Sequence, residues 1–247
     1  MDELRPDQSS AASVVADHLA NAILTQMAPG ASLPSEAELA SRYSVSRLTV
    51  REAVKLLAGR GLLELSRGKR AIVREPDGSA FADFLASMMR NDSKGLFDLV
   101  EVRLSLEVQS ATLAAKRASR AGLAAIENAL QGMRDAAGEA DGEIRFHDLD
   151  VAFHEAVVLA SGNRVLGYLF EAMSHPLREA FFISRRGHEQ RGHTWADVVG
   201  AHERILEAIR AGNSRAAGEA MRLHLKDTER DIRAALSQLA LRPAPRQ

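Results

Sequence analysis

The run Glu75-Pro76-Asp77-Gly78-Ser79 interrupts every hydrophobic periodicity in the chain, and the sequence on its two sides differs in kind. Residues 1–75 hold the one β-like stretch, whereas residues 80–238 return repeatedly to helical spacing. A chain of 247 residues suits two modest domains of roughly 100–150 residues each. We therefore expect domains over 1–75 and 80–238, a linker at 76–79 and a polar, proline-bearing tail over 239–247. Aromatic residues make up only 4% while Ala, Leu and Arg abound, so the fold should be mainly α.

In the first part, Val14, Val15, Leu19, Ala22 and Ile23 recur at helical spacing over 11–27 until Pro29-Gly30 stops the run. Ser35 followed three residues later by Glu38 is a capping box, which predicts a short helix over 36–43. Ser46 can cap another as far as about Arg60, with Val50, Val54 and Leu57 on one face and Arg47, Arg51 and Lys55 on a different one. Leu62 to Leu65 and Ala71 to Val73 then flank Ser66-Arg67-Gly68-Lys69-Arg70, a glycine-containing turn, and predict a small basic hairpin. Beyond the linker, helices are expected at about 80–91, 96–118, 120–138, 143–161, 163–184, 195–211 and 213–238, with Gly187 among the breaks. Short connections of this kind give an all-helical antiparallel bundle of six to seven helices.

The formal net charge is -1, from 32 Lys+Arg and 33 Asp+Glu, so any site for a polyanion must be local. Between Ala40 and Arg74 it is: nine residues are basic and only Glu52 and Glu64 are acidic. A helix, a short turn at Ser44-Val45, a second helix with a basic stripe and then a basic hairpin is the layout of a winged helix-turn-helix. A solvated helix face also carries such a stripe; the Ser46 cap, the hairpin and the charge imbalance together favour double-stranded DNA.

The residues Leu33-Pro34-Ser35-Glu36-Ala37-Glu38-Leu39-Ala40, Val45 to Ala53, Gly61-Leu62-Leu63 and Arg67-Gly68-Lys69 resemble the DNA-binding domain of GntR-family transcription regulators. The resemblance implies that Ser46, Arg47, Thr49 and Arg51 face the operator and that Arg67 and Gly68, with Lys69 beside them, form the wing tip. Arg pairs with guanine edges or grips phosphate, small hydroxyls reach either, and glycine lets the wing backbone come close. Two positions depart from the family's pattern: Ala37 stands where many members carry Arg, and Leu48 replaces a small polar residue.

In the second part, Asp150 and His154 are spaced i, i+4 and project from one helix face, where they can grip one ion. His202 and His224 are further candidates, and His147, seven residues before His154, is the best decoy. Spacing alone leaves open whether these residues meet. Three imidazoles and a carboxylate suit zinc, with manganese, nickel or iron admitted by the same donors. The segments Glu101 to Glu107, Asp150 to His154, Ala160 to Asn163, Ala201 to Ile209 and Met221 to Leu225 resemble the effector domain, known as FCD, of the FadR branch of the GntR family. That resemblance implies that Asp150, His154, His202 and His224 hold a divalent cation inside the bundle, and it argues against a fatty-acyl ligand. Arg103 suits a second anchor for an anionic effector through a bidentate carboxylate contact, unless it is consumed by Glu107 at i+4.

These expectations describe a homodimeric, metabolite-responsive regulator, acting as a repressor on a palindromic operator, with a small organic acid such as a hydroxy acid or sugar acid as effector. A metal-dependent hydrolase with an appended DNA-binding domain is the rival from another class, and a purely structural metal is the third reading. Asp148 and Glu155 offer no recognised catalytic signature as general bases, so no enzyme is expected. The absence of cysteine excludes disulfide scaffolds and thiol catalysis, and the lack of a signal pattern or long apolar run leads us to expect a cytoplasmic protein with no membrane partner.

Overall fold

A computed structural model describes residues 11–75, Ala82, Leu85, 93–139 and 141–241. The expected linker at 76–79, most of the expected helix at 80–91 and the tail beyond Leu241 lie outside the described residues. The chain divides into two compact units, Met1–Ala80 and Phe81–Gln247.

The first unit contains α1 (Ala11–Gln26), α2 (Glu36–Tyr43), α3 (Arg47–Gly59) and a hairpin of β1 (Leu63–Glu64) and β2 (Ile72–Val73), paired antiparallel with Leu63 opposite Val73. Both expected caps form. The Ser35 backbone N–H donates to Glu38 Oε2 at 2.7 Å while the Glu38 N–H reaches Ser35 Oγ, and the Thr49 N–H donates to Ser46 Oγ at 3.0 Å. Ser44 closes α2 in the left-handed region at φ 55°, which turns the chain sharply enough for α3 to start three residues later. Val15, Leu19 and Ile23 of α1 close with Leu39, Val50, Leu57, Leu63 and Val73 into one small core. The hairpin is larger than its sequence suggests. Residues 30–33 run antiparallel along β2, with the Leu33 N–H donating to the Ala71 carbonyl and the Val73 N–H to the Ala31 carbonyl, both at 2.8 Å, and a bridge pairs Ser32 with Ile72. This third edge satisfies backbone groups that would otherwise be buried without partners against Leu33.

The described residues of the second unit form six helices: α4 (Ser93–Arg117), α5 (Arg120–Ala137), α6 (Glu143–Ala160), α7 (Arg164–Gln190), α8 (Trp195–Arg210) and α9 (Ser214–Leu241). Connections of a few residues make α5 and α6, α6 and α7, and α8 and α9 packed neighbours, while α9 also packs along α4 and α7. Ser119 and Asn163 cap α5 and α7 through their side chains, as their positions at expected breaks require. One expected break is overturned. α7 does not end near residue 184 but passes through Gly187 to Gln190, because glycine is there for packing and not for a turn: a Cβ on Gly187 would fall 1.7 Å from the Asp231 carbonyl oxygen of α9. α9 likewise runs to Leu241, three residues beyond the expected end. Phe146, Phe153, Leu130, Ile205, Met221 and Leu225 are fully buried at the centre of one core; a second core gathers Leu99, Phe170, Met173 and Leu177. Between these layers lies the site.

Candidate functional site

Asp150 and His154 stand on consecutive turns of α6, and α8 and α9 bring His202 and His224 to the same point. The four side chains offer one ligand atom each within 4.8 Å of one another. His154 Nε2 lies 3.3 Å from His202 Nε2 and 3.2 Å from His224 Nε2, and His202 Nε2 lies 3.1 Å from Asp150 Oδ1. Donor atoms around a cation with bonds of about 2.0–2.2 Å are separated by roughly these distances. His202 Nδ1 faces the Val198 carbonyl at 2.8 Å, and a carbonyl only accepts, so Nδ1 carries a proton and Nε2 is the nitrogen turned toward the cluster. Burial works against a charged Asp150, but the His202 contact and the surrounding imidazoles hold its carboxyl well below the usual range. His224 is held well below the usual imidazole range, first by burial and then by its two histidine neighbours, so it stays neutral. Imidazole nitrogens and a carboxylate thus converge in a buried place, a donor set that suits a divalent cation. By donor chemistry and spacing the quartet fits such an ion.

A residue that sequence reasoning took only as a possible partner of Arg103 supports this cluster from behind. Glu107, fully buried on α4, accepts from Arg103 Nε at 2.6 Å through Oε1 and faces His154 Nδ1 at 2.5 Å through Oε2. Burial opposes its charge, yet the Arg103 guanidinium and His154 lower its pKa to about 2. Arg103 therefore does make the intrahelical pair, and it also lines a cavity of about 350 Å³ that reaches Asp150, His154 and His224. The pairing and the anchoring position are compatible, because the pair engages Nε.

Leu99, Phe170, Leu177 and Ile232 give the cavity an apolar wall, while Phe181 and Trp195 add stacked rings with centroids 6.1 Å apart and planes 11° apart. His147, the decoy, is not part of the quartet but lines the same cavity, stacked on Phe181 at 3.8 Å. A second group of possible ligands, His188, His193 and Asp231, occupies another edge. It is already neutralised by a cation of the protein's own: Arg191 donates to Asp231 at 2.5 Å and to Asp227 at 2.8 Å, and His188 bridges Asp231 and the Thr194 carbonyl. Neither Asp148, which pairs with Arg178, nor the exposed Glu155 lines the cavity as a base.

On the first unit, Arg47, Leu48, Arg51 and Lys55 are exposed along α3, and Arg67, Gly68 and Lys69 are exposed at the hairpin turn. Gly68 takes φ 73°, which the tight turn closed by the Lys69 N–H on the Ser66 carbonyl requires. Leu48 is 66% exposed, so it does not serve the core of its unit. The Ser46 and Thr49 hydroxyls lie 2.8 Å apart at the start of α3. Arg51 is bound by Glu36 at the start of α2, with Nε donating to both carboxylate oxygens at 2.9 and 3.0 Å, an interaction that no local pattern announced. That hydrogen bond is the chief reason the Glu36 carboxyl is held below its ordinary range. Ala37 is exposed beside it.

A two-helix reader with a basic wing, joined in one chain to a helical bundle that encloses a histidine-lined cavity, is the layout of a transcription regulator. Residues 11–73 match the family described as bacterial regulatory proteins, gntR family, and residues 98–227 match the FCD domain. The chain belongs to the GntR family, with an FCD domain as its second half; it is a DNA-binding transcription regulator and not an enzyme. It is 34% identical over 211 residues to the HTH-type transcriptional regulator LutR of Bacillus subtilis, covering 83% of this chain and 92% of that one. The galactonate operon transcriptional repressor of Escherichia coli is 33% identical, over 78% of this chain and 83% of its own length. Among solved structures, Streptococcus agalactiae GntR superposes with a TM-score of 0.69 at 31% identity, covering 87% of this chain and 97% of that one.

Proposed function

We propose that this regulator binds a palindromic operator as a homodimer and senses a small organic acid at a divalent cation held by Asp150, His154, His202 and His224. The observation that carries the reading is the convergence of three imidazole nitrogens and a carboxylate, with Asp150, His154 and His224 lining the cavity that Arg103 also lines. A cation bound there neutralises the converging lone pairs and offers open coordination positions to an anionic oxygen. Arg103 supplies the second contact, gripping the acid's carboxylate, while the apolar wall of Leu99, Phe170 and Ile232 excludes water around it. Zinc is the cation we favour for three imidazoles, with manganese, nickel or iron as the other candidates.

At the DNA end, α3 carries Arg47 and Arg51 into the major groove, Ser46 and Thr49 reach phosphate or base edges, and Arg67, Gly68 and Lys69 follow the adjacent backbone. A recognition helix of 13 residues reads few base pairs, so two copies on two half-sites give the selectivity. Domains over 1–75 and 80–238 with a connecting linker at 76–79 let acid binding in one half alter operator affinity in the other, provided two arrangements bind the acid unequally. A repressor released by its ligand is the sign we favour; of the relatives above, the galactonate operon regulator is a repressor. Both relatives are regulators rather than hydrolases, which disfavours the metalloenzyme reading. The test is fluorescence anisotropy of the zinc-loaded protein on the DNA upstream of its own gene, with L-lactate and six-carbon sugar acids added. A fall in affinity with one acid supports the reading; binding insensitive to every acid leaves a structural metal in its place.

A further inference from the structure

His147 is a polar side chain of the cavity whose position neither the cation nor a neighbouring polar side chain explains. It is 3% exposed, and neither ring nitrogen makes a well-aligned hydrogen bond, the Arg178 backbone carbonyl being the one protein acceptor that bears on the ring. Burial lowers its pKa, outweighing the pull of Asp150 and Asp148, so the ring is neutral and offers one donor and one acceptor. Such a group, buried without a well-aligned partner, is expensive unless something fills the space beside it. The Phe181 ring covers one face of the imidazole, 17° from parallel, and Phe182 meets it edge-on. What is left to the ring edge is the cavity.

The position of His147 sets a length. It precedes Asp150 by one turn of α6, away from His154, and three residues of helix rise about 4.5 Å. The polyol tail of a six-carbon sugar acid held by the cation and Arg103 has length to spare for crossing that rise, and a two- or three-carbon acid has little or none. Part of the remaining polar lining suits the same tail: Ser184 lines the cavity, Thr194 and Thr228 line it with hydroxyls that donate to Asp197 and the His224 carbonyl and can still accept, and Phe181 and Trp195 add aromatic rings.

We infer that His147 reads the far end of the effector through a hydroxyl group, and that the effector is accordingly a polyhydroxylated, sugar-acid-like carboxylate and not a short hydroxy acid. This rests on the acid-sensing reading above and adds to it a residue and a chain length. The test is calorimetric titration of the zinc-loaded full chain with glycolate, L-lactate, L-threonate and the six-carbon acids D-gluconate, D-galactonate and D-mannonate, on wild type, His147→Leu and His147→Gln. At least one six-carbon acid should bind wild type more tightly than L-lactate does. His147→Leu should weaken that acid about tenfold and leave L-lactate unchanged, with His147→Gln, which keeps a donor and an acceptor, in between. If His147→Leu binds every acid as wild type does and melts at a higher temperature without ligand, His147 is only a buried core ring and the inference is wrong. Binding of the short acids alone overturns the inference and leaves the acid-sensing reading standing; binding of no acid by wild type overturns both. Should His147→Leu not fold, the comparison of His147→Gln with wild type across chain length decides the matter.

Discussion

Glu107 Oε2 and His154 Nδ1 face each other at 2.5 Å in a place closed to solvent, while the same carboxylate holds Arg103 through its other oxygen. A carboxylate opposite Nδ1 favours a proton on that nitrogen and turns Nε2 toward the quartet, so in the proposed site Glu107 positions His154 for a cation. Glu107→Gln keeps the shape and removes the charge. We expect it to weaken zinc affinity by about 10–100-fold in competition with a chromogenic chelator, with the helical signal retained. Unchanged affinity would mean that His154 needs no support from α4.

The DNA face gives a prediction that separates charge from architecture. Arg47→Ala should lower operator affinity and reduce the salt dependence of binding by about one unit of slope, without shifting the melting temperature. Arg51 is different, because Glu36 already holds it in a bidentate pair. The pair is exposed and contributes little to stability, so Glu36→Gln should leave unfolding within about 0.5 kcal/mol of wild type while changing operator discrimination, read as the ratio of specific to non-specific binding. A ratio equal to wild type in both variants would remove α3 from the interface.

His188 predicts a pH dependence of stability. Its Nδ1 lies 3.1 Å from Asp231 Oδ2 and its Nε2 3.0 Å from the Thr194 carbonyl, two acceptors that only the imidazolium satisfies together. Burial opposes that charge, but the contacts to Asp231 and Thr194, with Asp227 behind them, raise the pKa above its ordinary value. The other charged or titratable groups around it are Glu189 of α7, Arg191 just past its end, His193, and Asp197 of α8. A raised value in the fold means that the stabilisation is complete below the unfolded value of about 6.5 and is lost as pH climbs through the folded one. Chemical denaturation of the metal-free protein should therefore show the gap between wild type and His188→Gln shrinking from about pH 6 to pH 8. A constant gap would show that His188 acts through packing alone.

Gly187 and Gly132 form a contrasting pair. A Cβ on Gly187 would meet the Asp231 backbone at 1.7 Å, whereas one on Gly132 would meet the flexible end of Leu149 at 2.8 Å. Gly187→Ala should cost about 3 kcal/mol or more by separating α7 from α9, and Gly132→Ala about 1 kcal/mol or less, because helix propensity partly compensates. Equal losses in urea unfolding would contradict the close approach.

What was legible in the sequence is what local chemistry decides. The capping box at Ser35 and Glu38, the cap at Ser46 and the i, i+4 pair of Asp150 and His154 depend on neighbours in the chain, and each forms where its pattern predicts. Gly187 was misread because an isolated glycine signals a break only when nothing else needs its missing side chain; here a carbonyl from α9 does. Residues 31–33 carry no strand pattern, and their pairing to β2 is imposed by the hairpin. His202 and His224 sit on separate helices, so only the family resemblance joined them to Asp150. Glu107 was visible as a partner of Arg103, but its second oxygen meets His154 across the bundle, and no spacing within α4 encodes that.

Metal content tests the sensing site most directly. Elemental analysis of purified protein, with wild type and His202→Ala prepared side by side and dialysed against the same buffer, should find about one divalent ion per chain in wild type and almost none in the variant. Full occupancy in His202→Ala, or a wild type that cannot be loaded with zinc at all, would contradict a cation held by Asp150, His154, His202 and His224.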